Sequence, residues 1–252
     1  MFCFSELNPI ENSTDNIATD TTTNSADKSN DNVRKRQSIS LKDSMCSLLT
    51  LSMLVWMSIL MLYFFLYLGT INTRLQNTYP DKVSHFTNVL AYTMFGGIVT
   101  AIIPGSVAEW QIKKYKDRKK STERNLLPNI LPMTTASLLA LTLNVLSYFK
   151  SEAVFYTEFA VLTVFRSFLF SSNMSFVISV YPQKHAHVIY PLGMTVGGVT
   201  STIQIGIFIW YNQSPEAQIY VKSLMTIIVA LTLIHPILTF LTAKGVLKRK
   251  DS

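Results

Sequence analysis

Six apolar stretches, at about residues 45–69, 86–108, 127–149, 153–180, 187–211 and 218–241, dominate this 252-residue sequence. Each reaches or exceeds the roughly 20 residues that an α-helix needs to cross a hydrocarbon core about 30 Å thick. No water satisfies backbone N–H and C=O groups inside such a core, so runs of this length are expected to be helical. The expected fold class is all-α: a six-helix transmembrane bundle, multi-pass in a lipid bilayer. No soluble domain of any size fits between the stretches, which excludes most soluble functions.

Charge supports this reading through its placement. The net charge is +7 with only 15% charged residues, against roughly 25% in a soluble domain. The surplus clusters beside particular spans and forms no nucleic-acid patch. Arg34, Lys35, Arg36 and Lys42 precede the first span. Lys113, Lys114, Lys116, Arg118, Lys119, Lys120 and Arg124 fill the connection between the second and third, and Lys184 falls between the fourth and fifth. Lys244, Lys248, Arg249 and Lys250 close the chain. The intervening connections hold only Arg74 and Lys82, Lys150, and Lys222 just beyond the third. Basic and basic-poor connections alternate, so both termini are expected in the cytosol.

Residues 1–43 are rich in Asn, Ser, Thr and Asp, a composition too polar to offset its ordering entropy, and are expected to be a disordered cytosolic segment. Residues 44–243 are expected to form the bundle and 244–252 a basic cytosolic tail. Ser38 and Ser40, beside the Arg34–Arg36 cluster, are candidate phosphorylation sites, with a plain solvated tail the favoured reading. No cleavable leader is visible, so the first span is expected to direct insertion. Cys3 and Cys46 fall on the expected cytosolic side, where a structural disulfide is not expected. Of three N-x-Ser/Thr sequons, Asn12 is expected in the cytosol and Asn173 inside a helix. Asn212 lies in an outer loop too close to the membrane for modification to be favoured.

Gly96 and Gly97 in the second span, and Gly193, Gly197 and Ser201 in the fifth, offer small residues at which helix backbones can approach. Pro104, Pro132, Pro191 and Pro236 are expected to loosen local hydrogen bonding. The fourth span carries Glu158, Arg166 and Asn173, and a charge within a span is costly unless paired or hydrated. Arg166 and Asn173, seven apart, share one helix face, with Glu158 about 80° away. Arg166 is expected to line a cavity, whereas Glu158 is read as reaching the headgroups. His235 before Pro236 is expected to satisfy a freed carbonyl. Asn88, Asn144 and Gln204 are read as inter-helix donors, and the cluster Tyr63, Phe64, Phe65 and Tyr67 as packing or substrate stacking. Nothing assembles as enzymatic chemistry: no metal-ligand spacing, phosphate cradle or nucleophile set is present, and no cofactor is expected.

The run Pro104-Gly105-Ser-Val-Ala-Glu109-Trp-Gln-Ile-Lys113-Lys114 resembles the loop signature of the major facilitator superfamily. Glu replaces the commoner Asp, and Trp110 stands where Arg is often found. Tyr63-Phe-Phe-Leu-Tyr67-Leu-Gly69-Thr-Ile-Asn72-Thr-Arg74-Leu resembles the seventh helix of solute carrier family 43, the system-L-like facilitators of large neutral amino acids. Phe176 through Tyr181-Pro182-Gln-Lys-His185, with Gly193 and Gln204, resembles its tenth and eleventh helices. Here Ala186-His187 departs from the usual glycine.

The resemblance covers residues 34–250 and implies the C-terminal half of a major facilitator fold, whose substrate lies at midplane between two halves. It implies alternating access for a small neutral solute, an amino acid ahead of a nucleobase. Tyr67, Asn72, Arg166 and Asn173 are then the expected substrate-lining residues, and Gly105, Glu109 and Lys113 the expected cytosolic gate. The expected partners are the bilayer, the solute, and a second copy or a partner half-transporter; the plasma membrane is favoured over an internal one. The alternative is a non-transporting accessory or truncated subunit that binds a full-length relative.

Overall fold

The computed structural model describes Met45 and residues 47–245. The expected polar segment 1–43, and all but the first two residues of the basic tail, lie outside that range. Among the described residues every regular element is helical, and six helices are long and apolar enough to cross a membrane. They are α1 (Leu48–Thr78), α2 (Pro80–Tyr115), α3 (Ser121–Leu146), α4 (Glu152–Val180), α5 (Gln183–Tyr211) and α6 (Pro215–Ala243). The protein is thus built as an integral, multi-pass membrane protein.

Local chemistry sets the ends. Ser47 caps α1 by accepting from the Thr50 amide at 3.2 Å. Ser214-Pro215-Glu216 opens α6 with a hydroxyl accepting from the Ala217 amide, a proline at the first helical position and an acid in the first turn. The expected end of the first span at residue 69 is overtaken: α1 runs on to Thr78 through the polar sequence after Thr70. Nothing breaks the helix until Tyr79, which precedes Pro80 and is pushed out of the helical region, to φ −139° and ψ 68°.

Three spans are interrupted. In α2, helical segments end at Phe95 and Thr100 before the last, Ile102–Tyr115, begins. In α6 the break falls between Leu231 and Ile234. Pro104 and Pro236 each lie four residues after the carbonyl their rings displace, those of Thr100 and Thr232, which accounts for the second break in α2 and that in α6. In α5 the break after Ser201 coincides with back-bonding hydroxyls: Ser201 donates to the Gly197 carbonyl and Thr202 to that of Val199. Pro132 and Pro191 lie within unbroken helix.

α1 is the axis of the bundle; 61% of its most apolar window is buried, and it touches each of the other five spans. α2 and α5 are the least covered, at 11% and 17%. Their outer faces carry exposed Phe95, Ile98, Val99, Ile203 and Ile205, as a surface against lipid or another polypeptide must.

The small-residue stripe on α5 packs on α1. A Cβ added at Gly197 falls 2.6 Å from the Met61 sulfur, and one at Gly193 lies 3.5 Å from Leu54. Gly198, one residue along, faces open space. Gly197→Val is therefore expected to force Met61 and Met57 aside and cost about 1–3 kcal/mol, while Gly198→Val leaves stability near wild type. Thermal unfolding of the two variants in one detergent checks this contrast.

Candidate functional site

α4 carries the polar residues that the spacing singled out, and the tertiary structure separates them. Glu158, expected to reach the headgroups, is instead fully buried among its neighbours. Its carboxylate accepts two bonds from Arg74, at 3.0 Å and 2.8 Å, and one from the Tyr67 hydroxyl at 2.5 Å. Arg74, grouped with an outer connection on charge alone, lies instead in α1 and is 7% exposed. Its guanidinium stands 5.2 Å from the Phe155 ring centre and 5.8 Å from that of Tyr67. Opposite charges in bidentate contact, flanked by aromatic faces, make burial of both tolerable. Arg74 is the residue that reading by loops missed. The available signal was its position seven residues after Tyr67, which places both on one face of a helix continued past 69.

Arg166 has the opposite environment. It is exposed, lies against Gly97 and the Met94 sulfur, and has no acidic partner among the described residues. It opens onto a groove of about 640 Å³ between α1, α2 and α4, whose other walls include Phe64, Leu68, Thr87, Met94 and Phe170. A volume of this order suits a small organic molecule, and one fixed charge among apolar walls suits its orientation. The fork of five N–H donors on a guanidinium matches a carboxylate. It equally matches adjacent O and N acceptors on the edge of a purine.

The other expected lining residues do not converge on Arg166. Tyr67 is held by Glu158, and Asn72 is exposed near the end of α1. Asn173 shares the helix face of Arg166 but is fully buried, with neither amide atom hydrogen-bonded. Helix geometry gives a face; it does not determine what covers that face at each turn. The expected gate residues lie together on the last segment of α2. Lys113 pairs with Glu109 at 2.8 Å, one turn apart on the same helix and exposed. A Cβ at Gly105 would meet nothing within 4 Å, so no other described helix packs closely on it.

Other polar groups tie the helices together. Trp56 donates to the Ser137 hydroxyl at 3.0 Å, which also accepts from Thr232, joining α1, α3 and α6. His235 bonds through Nδ1 to Ser52 at 2.8 Å and does not serve a carbonyl freed by Pro236. Asn144 donates to the Thr226 hydroxyl and the Lys222 carbonyl, the inter-helix role expected of it. No such bond is formed by Asn88, which is exposed. Among the described residues no three His, Cys, Asp or Glu side chains are grouped to hold a metal ion.

No family model and no solved structure matches the chain. A curated relative does: over 193 residues the chain is 30% identical to equilibrative nucleobase transporter 1 of Bos taurus. That alignment takes in 73% of this chain and 40% of the relative, so the chain spans about two fifths of the length of the relative it matches. A multi-pass helical bundle with this level of identity is homologous to a membrane transporter.

Proposed function

We propose that the chain is one half of a major facilitator transporter that moves a small neutral solute by alternating access. The observation that carries this reading is the exposed guanidinium of Arg166 in its groove. An arginine facing bare hydrocarbon near the middle of a span costs about 2.5–3.5 kcal/mol even on the mildest scale. Water or a second polypeptide over the groove removes that cost, and a site closed by a partner half supplies both. The weakly covered spans α2 and α5 offer surface for such a partner, a second copy or a separate half. A nucleobase now stands ahead of a large neutral amino acid as solute, because the homologous protein bears the name of a nucleobase transporter. In this reading Arg166 holds the solute, Tyr67, Asn72 and Asn173 come to line its path in another conformation of the cycle, and Gly105, Glu109 and Lys113 form a cytosolic gate. The favoured location is the plasma membrane.

Uptake of labelled guanine, whose O6 and N7 are adjacent acceptors, and labelled leucine into proteoliposomes tests this directly. Saturable uptake is expected, with guanine preferred. Arg166→Ala should reduce it roughly tenfold or more, since charge-assisted hydrogen bonds are worth about 1.5–3 kcal/mol. Arg166→Lys should restore little, because the planar fork is lost while the charge remains. No uptake of either solute by folded protein overturns independent transport. It would favour the second reading, a subunit that associates through α2 and α5 with a full-length relative.

A further inference from the structure

At the end of the bundle where α1, α3 and α5 finish and α6 begins, a second, much smaller cavity adjoins the Arg74–Glu158 pair. Its walls include Tyr63, Tyr67 and Arg74 from α1, Asn144 from α3, Tyr211 from α5 and Lys222 from α6. At about 30 Å³ it holds one water-sized or monatomic occupant and excludes any nucleobase or amino acid. It is therefore distinct from the groove at Arg166.

The chemistry of the walls is one-sided. The hydroxyls of Tyr63 and Tyr211 are buried with no hydrogen-bond partner, and both residues line this cavity. A buried hydroxyl left unpaired costs about 1–3 kcal/mol, so two at one small cavity call for an occupant. Lys222, half-buried, donates to the Ser147 carbonyl at 2.8 Å, stands 5.4 Å from the Tyr148 ring centre, and has no acidic partner among the described residues. The Arg74 and Glu158 charges cancel in their ion pair, and each Glu158 oxygen already accepts from a donor. One positive charge is thus left beside two hydroxyls free to donate. A cation would meet the Lys222 charge, and a water would satisfy the hydroxyls while leaving that charge with a carbonyl and a ring face but no counter-ion. The geometry points to a site for a single monatomic anion, of chloride size, held by Tyr63, Tyr211 and Lys222. Such an ion would tie α1, α5 and α6 together at this end of the bundle.

The test is thermal unfolding of the purified chain in detergent, with sodium chloride or bromide exchanged for sodium gluconate at constant ionic strength. A saturable rise in Tm is expected with both halides, of roughly 3–5 °C at ten times the dissociation constant, and none with gluconate. Lys222→Gln and, separately, Tyr211→Phe should each abolish the halide response. The second variant removes one oxygen atom and keeps the ring, so it tests the site even if the first fails to fold. Equal Tm in chloride and gluconate overturns the assignment, as does a halide response undiminished in Tyr211→Phe.

Discussion

Arg74→Ala is expected to lower the stability of the folded bundle by about 3–5 kcal/mol, because it strands the fully buried Glu158 carboxylate without its counter-charge. Glu158→Ala should cost a similar amount for the reciprocal reason. The informative variant is the pair. Arg74→Met with Glu158→Leu removes both charges together and fills much of the same volume with apolar atoms. It is expected to recover most of the loss of either single change, leaving the Tyr67 hydroxyl as the group without its former acceptor. A double-mutant cycle measured by denaturant unfolding in mixed micelles checks this, and strong non-additivity is the expected signature. Additive losses would show that the two side chains act separately and that the bidentate contact is not the source of the stability.

Trp56→Ala is expected to cost about 2–3 kcal/mol, below the roughly 3–5 kcal/mol for emptying an aqueous protein's core of an indole. The reduction follows from the solvent. In a bilayer the unfolded helices keep the ring in apolar surroundings, so the transfer contribution is small and the lost packing remains. Trp56 is 1% exposed, packs near the His235 ring at 6.0 Å between centroids, and anchors the Ser137–Thr232 hydroxyl chain. Trp56→Phe keeps most of the volume and removes the donor, so it isolates the hydrogen bond. A loss of about 0.6 kcal/mol is expected for it, the usual size of an inter-helix polar contact in a membrane. Unfolding midpoints for the two variants in the same micelles separate packing from polar linkage. Equal losses would assign the whole effect to the hydrogen bond.

Arg166 and Arg74 show how far residue patterns reach. Arg166 stood out because a charge deep in an apolar run has few explanations, and a groove lies beside it. Arg74 did not stand out, because the local composition after Thr70 is polar and resembles a connection. It is helical because nothing breaks α1 before Tyr79, and it is the long-range contact with Glu158, 84 residues away, that accounts for its burial. Glu158 was misread by the same reasoning: proximity to a span's end says nothing about a partner on another helix. Tyr67 was expected to line a substrate path, and its hydroxyl is instead committed to Glu158 in this conformation.

By itself the sequence determined the number of spans and the helical class, because each apolar run must satisfy its own backbone inside a membrane. It also marked the small-residue face on α5, whereas α6 starts at Pro215, three residues before the expected span, although its Ser214-Pro215 start is local chemistry. The tertiary structure alone decided which polar side chains pair, which are orphaned and which open to a groove. Those outcomes depend on what the facing helix brings to the same depth. Helical periodicity specifies the face of a residue; packing specifies what stands opposite it. That is why Glu158 and Arg166, eight residues apart on one helix, end as a buried ion pair and an exposed charge.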